Sequence, residues 1–162
     1  VSDTPAPGPA HDTGAATAGL APDATMYCTF RIDGLYLGID AGVVQEVLRE
    51  QPVTPVPLAP PEVRGLINLR GQIVTALDLG MKLGLPRADR RMNVVVRTGP
   101  EAVSLLVDAI DDVVTLTADD HAPVPSTVDP AIAAHLVATG TLDAELLLVL
   151  DPAAATSIAA LL

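Results

Sequence analysis

The feature that most restricts the fold is a strand-and-cap unit that occurs twice. Residues 65–79, GLINLRGQIVTALDL, place two apolar runs, Leu66-Ile67 and Ile73-Val74, on either side of Asn68-Leu69-Arg70-Gly71. Asparagine and glycine tolerate positive φ, so this reads as a β-hairpin with Arg70 at its tip. The second strand, residues 72–77, runs into Asp78, whose side chain can accept from the free N–H groups of a short helix over residues 79–83, closed by Gly84. A cap of this kind contributes about 0.5–2 kcal/mol. Residues 69–78 align without a gap on residues 142–151, with Asp151 in place of Asp78 and Pro152 suited to a first helical position. A second pair of blocks agrees: Ile39-Asp40 followed by Val44-Gln45-Glu46-Val47 resembles Val107-Asp108 followed by Ile110-Asp111-Asp112-Val113. The chain reads as a duplication.

Around these units the pattern is one of short strands and turns. Strands are predicted over residues 26–32, 35–39, 93–97, 102–107, 113–117 and 145–150, with Asp33-Gly34 and Thr98-Gly99-Pro100 as turns. Residues 43–48 read as a turn running into a strand. Pro52, Pro55, Pro57, Pro60 and Pro61 remove too many donors for a central strand, so residues 51–61 should take an extended surface path, with one helical turn over residues 59–63. Residues 118–130 read as loop, residues 131–137 as strand or helix, and an alanine-rich helix follows Pro152. This spacing points to small all-β barrels rather than a parallel sheet, and two of them account for the duplication. Residues 1–24 carry hardly a large apolar side chain, so ordering them would cost entropy with nothing to bury, and they read as a disordered tail rich in alanine and proline.

The net charge of −11 is uneven. Residues 1–97 hold all nine bases against ten acids, and residues 98–162 hold ten acids and no base. The second half repels phosphate, and 2% aromatics without Trp leave no stacking platform, which argues against a nucleic-acid partner. Arg87, Arg90 and Arg91 read as a solvated loop between barrels. Cys28 is alone, which rules out an intrachain disulfide and a four-cysteine metal site, and its apolar strand suggests an inert buried thiol. No run approaches the roughly 18 apolar residues of a membrane span, and the first residues have neither the basic start nor the apolar stretch of a signal peptide. The expectation is a cytoplasmic protein that makes no direct membrane insertion and reaches a membrane through a partner.

Catalytic chemistry finds no foothold. His11, His121 and His135 lack metal-ligand spacing and read as incidental. Ser104 has no strained turn of the nucleophile type, and the glycines near Asn68 lack the Gly-Lys-Ser/Thr of a phosphate loop. Asp108, Asp111 and Asp112 lack the ligand spacing of a calcium loop and read as a solvated turn. No enzyme activity, metal or cofactor is expected. Arg70 differs from all of these, because the second half keeps the framework and changes the tip: Asp143 stands for Arg70 and Ala144 for Gly71. An arginine at an exposed turn offers a planar fork to carboxylates or carbonyls of a partner.

TFRIDGLYLGID, VVQEVLRE, APPEVRGLINLRGQIV, LDL and LLVDAIDDVVTLT, in this order and spacing, resemble the CheW family of bacterial chemotaxis coupling proteins. The resemblance covers residues 26–150 and is most specific in GLINLRG. It implies two intertwined SH3-like five-stranded β-barrels sharing a core, here residues 25–162 with short helices and a C-terminal helix. It implies a non-enzymatic adaptor joining the cytoplasmic tips of chemoreceptors to the histidine kinase CheA. Carried over by position, Arg70, Val44 and Glu46 belong to the receptor-facing region, with Gly65 and Gly71 shaping it. Three positions depart from the family: Thr75 stands where Pro is usual, Ala144 where Gly is frequent, and Gly80 where Arg is common, which removes the basic contact expected of that helix. The same module also forms the regulatory domain of CheA and occurs fused to receiver domains, so a fragment of a larger signalling protein, or a barrel scaffold outside chemotaxis, are the alternatives.

Overall fold

The structure, a computed structural model, describes residues 23–158. The predicted tail lies outside them except at its last two positions, where the Asp23 carboxylate accepts a hydrogen bond from the Ala118 N–H. Eleven strands follow, with three short helices: β1 (Thr25–Ile32), β2 (Leu35–Asp40), β3 (Val44–Arg49), β4 (Val63–Leu69), β5 (Gln72–Asp78), α1 (Leu79–Lys82), β6 (Met92–Arg97), β7 (Ala102–Val107), β8 (Ala109–Leu116), β9 (His121–Ala122), α2 (Pro130–Ala133), β10 (Leu136–Leu142), β11 (Glu145–Leu150) and α3 (Pro152–Thr156).

The two sheets have orders β8-β1-β2-β11-β10-β9 and β3-β6-β7-β5-β4. If β1 to β5 are matched with β6, β7, β8, β10 and β11, the two orders are the same, and each contains the other half's hairpin. The β1–β2 hairpin lies between β8 and β11, and the β6–β7 hairpin lies between β3 and β5. One parallel contact per sheet joins the halves, β2 to β11 and β7 to β5. Each sheet closes on itself where the chain beyond its edge strand meets the hairpin: Thr54 bridges Leu66 on β4, and β9 pairs Thr139 and Gly140 on β10.

Three apolar clusters result. Phe30, Ile32, Leu37 and Ile39 from one hairpin meet Val94, Val96, Leu105 and Val107 from the other, and Leu77, Leu79 and Leu150 complete a core shared by both barrels. Ile67, Leu69, Val74, Ala76, Val95 and Leu106 fill the first barrel, and Tyr27, Tyr36, Leu116, Leu147 and Val149 fill the second. Asp78 and Asp151 cap as expected, accepting from Met81 N–H at 3.1 Å and Ala153 N–H at 3.1 Å.

The structure departs from the sequence reading at several places. Residues 59–63 form no helix; Val63 N–H turns back to the Pro60 carbonyl at 2.9 Å and already belongs to β4, whose pairing with Leu77 outweighs one helical turn. Asp111 and Asp112 lie within β8, an edge strand whose outward face holds acids in solvent while its backbone pairs with β1. The segment predicted as loop over residues 118–130 contains a short helical turn and β9. His121 is fully engaged, with Nε2 against the Tyr27 hydroxyl at 2.8 Å and Nδ1 against the Thr117 carbonyl at 2.7 Å.

The two hairpin tips share one geometry. Arg70 and Gly71 have φ of 53° and 89°, and Asp143 and Ala144 have 51° and 66°. An L side chain in this region costs roughly 1–2 kcal/mol, which glycine escapes. Ala144→Gly is therefore expected to raise stability by about 1 kcal/mol in urea denaturation, without changing the slope of the transition.

Candidate functional site

Arg70 and Glu46, far apart in sequence, meet in space. The curl of the first barrel brings the β4–β5 turn against β3, where the guanidinium donates from Nη1 to Glu46 Oε2 at 2.7 Å and from Nη2 to Oε1 at 2.6 Å. Arg70 keeps 72% of its side chain exposed, against 20% for Glu46. The turn itself is fixed by the Asn68 side-chain oxygen, which accepts from Gly71 N–H at 2.8 Å. The paired fork is therefore held in one orientation with its remaining N–H groups toward solvent.

Hydrogen bonds from Arg70 hold the Glu46 carboxyl below the usual carboxylate range, and Glu46 in turn raises the Arg70 guanidinium further. Because the folded value for Glu46 is the lower one, the contribution of the pair is complete above the ordinary glutamate range. It is lost as pH falls through the depressed value. Near neutrality the pair is intact.

Of the other predicted site residues, Gly71 needs only its positive φ, since open space surrounds it. Gly65 is different: at φ 145°, a Cβ would stand 2.2 Å from the Thr54 carbonyl oxygen, on the bridge that closes the barrel. Gly65→Ala should cost about 2–4 kcal/mol in denaturant melts, from displaced backbone and the left-handed conformation together. Val44 is half-buried against the shared core and opposite Val96, so it supports the region from behind. Ile73 was missed in the sequence; it faces Asn68 across the hairpin and is 59% exposed, an apolar neighbour of the Arg70 turn. Its signal was the inward-outward alternation of β5, with Val74 in the core and Ile73 on the other face.

The corresponding positions of the second barrel carry Asp143 and Asp112, so the same framework there offers carboxylates and no fork. A basic group on that barrel's surface, Arg31, lies over the Tyr36 ring and is held by Asp111 and Glu145.

Arg90 overturns the reading of a solvated arginine loop. Its side chain is wholly buried and donates to Asp78 at 2.7 Å and Asp108 at 2.7 Å, with Asp33 at 3.6 Å. Its guanidinium occupies the space beside Gly80, where a Cβ would lie 2.1 Å from Nη2. The basic group at this helix thus comes from Arg90 rather than from position 80. It joins the Asp78 cap of the first repeat to Asp108, just beyond the β6–β7 hairpin, and to Asp33 in the β1–β2 turn, and so spans the two halves.

A family model described as CheW-like domain matches residues 26–159. The chain is 30% identical over 128 residues to the chemotaxis protein CheW of Klebsiella aerogenes, covering 77% of each chain. It is 31% identical to protein FrzA of Myxococcus xanthus, over 76% of this chain and 78% of that one. It spans 64% of the chemotaxis protein CheW of Rhizobium meliloti, at 34% identity over 59% of its own length. The crystal structure of the scaffolding protein TtCheW from Thermoanaerobacter tengcongensis superposes with a TM-score of 0.71 at 23% identity, over 78% of this chain and 88% of that one. Among the described residues, no helix is long and apolar enough to cross a membrane.

Proposed function

The chain belongs to the CheW-like domain family, and on that premise we propose that it is a chemotaxis adaptor without activity of its own. It joins the cytoplasmic tip of a chemoreceptor, a methyl-accepting chemotaxis protein, to a CheA-type histidine kinase. The observation that carries this reading is the oriented Arg70–Glu46 pair at an exposed turn, repeated in framework but not in charge by the second barrel. A fork fixed by a neighbouring carboxylate loses little freedom on meeting carboxylates or helix-end carbonyls of a partner. Gly65 and Gly71 shape this receptor face, and Val44 backs it. The protein works in the cytoplasm and is recruited to receptor arrays through its partners, as one domain over residues 25–162. The test is reconstitution from purified receptor cytoplasmic fragment, kinase and this chain. Co-sedimentation of all three only when the chain is present supports the reading; binding to neither partner overturns it.

A further inference from the structure

Leu58 breaks two rules at once. It is fully exposed, at 103% of its reference area, and its φ of 64° lies in the left-handed region that a bulky side chain rarely adopts. Exposed Pro57 and Pro61 flank it, with half-buried Ala59 and Pro60, so the apex carries no polar side chain. The Ala59 N–H bonds the Val56 carbonyl at 3.4 Å and the Val63 N–H that of Pro60 at 2.9 Å, which together with the prolines holds the leucine outward.

The corresponding stretch of the second half is built differently. Arg70 corresponds to Asp143, and Leu66, bridged to Thr54, corresponds to Thr139, bridged to Ala122. Between these bridges the second half is five residues longer, and that longer segment folds α2, whose Ile132 is buried against the shared core. The first half instead turns its apolar side chain into water.

The position separates this knob from the receptor face. Asp78 N–H bonds the Glu62 carbonyl at 2.7 Å, so the loop sits beside the end of β5, whereas Arg70 precedes its start. A strand of this length spans about 20 Å. Beside the loop, Pro52, Val53 and Pro55 line a cleft of about 540 Å³ with Arg64 and Arg87. The acids of that cleft, Glu50 and Asp89, are both met by Arg91. Leu58 thus stands in an apolar loop next to a cleft that presents the exposed Arg87, while Arg64 is held by the Ala88 carbonyl at 3.1 Å and by Asp78 at 3.7 Å.

We infer that Leu58 and its proline flanks are the docking knob for the kinase, received in an apolar pocket with an acidic rim; this rests on the adaptor reading above. Both partners then bind one barrel at opposite ends without competing. Fully burying a leucine is worth roughly one to two powers of ten in an equilibrium constant.

The test uses Leu58→Asn, which suits the left-handed backbone but removes the apolar contact. Kinase affinity should fall at least tenfold by titration calorimetry, while the melting temperature does not fall and receptor binding is unchanged. Wild-type kinase affinity in Leu58→Asn overturns the proposal and leaves the adaptor reading intact. A variant whose only change is weaker self-association in sedimentation also overturns it, since the knob would then join copies of this chain. If the unmodified chain binds no kinase, the adaptor reading falls first and the knob with it.

Discussion

Arg90→Met is expected to lower stability by about 3–5 kcal/mol in urea denaturation, although it removes one side chain far from either end of the chain. Asp78 is wholly buried, and its Oδ1 accepts from both Arg90 and the first turn of α1. Without the guanidinium a carboxylate would remain in the interior, with Arg64 at 3.7 Å as the nearest cation and no hydrogen bond to Oδ2. Asp78 is therefore more than a cap, and the 0.5–2 kcal/mol of a helix N-terminus understates it. The double variant Asp78→Asn/Arg90→Met keeps a capping oxygen and removes the stranded charge. It should be less unstable than the sum of its single variants, and a double-mutant cycle measures the difference. Additivity would show that the two residues do not act as a pair.

The second large effect falls on binding. Arg70→Ala should weaken receptor affinity by about 2–5 kcal/mol while leaving kinase affinity and stability close to wild type, because truncating a charged hydrogen-bonding group strands its partner. The free-state pairing with Glu46 sharpens the expectation. Arg70→Lys keeps the charge but loses the planar two-point match to Glu46, so it should fall between wild type and alanine. Glu46→Gln keeps the shape and removes the carboxylate that orients the fork, and should weaken receptor binding less than Arg70→Ala. Normal receptor binding by a folded Arg70→Ala excludes this site; loss of kinase binding in its place would mean that the two partners use the opposite faces.

What could be read in the residues was local. The Arg70-Gly71 turn, the Asp78 and Asp151 caps and the strands between them follow from φ preference, side-chain hydrogen bonding and alternation, all within a few positions. The repeat was visible for the same reason. Arg90 was not legible, because its partners Asp33 and Asp108 arrive from turns far off in the sequence, and an arginine between Pro86 and Met92 has no local mark of burial. The acids of β8 hid a strand, since an edge strand can keep charged residues on its open face and still pair its backbone. The meeting of Arg70 with Glu46 needed the curl of the first barrel, which no spacing encodes.

The reciprocal exchange of hairpins also sets a timetable for synthesis. Neither barrel can close from its own half: the first waits for β6 and β7, which leave the ribosome only after Val107 has been added. At 5–20 residues per second, the stretch from the end of β5 to the end of β7 takes roughly 1.5–6 s. Through that interval β3 and β5 have unpaired edges, and the β1–β2 hairpin has no sheet to enter until β8 and β11 follow. A nascent chain of this protein must therefore keep half-built sheets apart from one another, and its folding yield should depend more on how fast it is translated than its small size suggests.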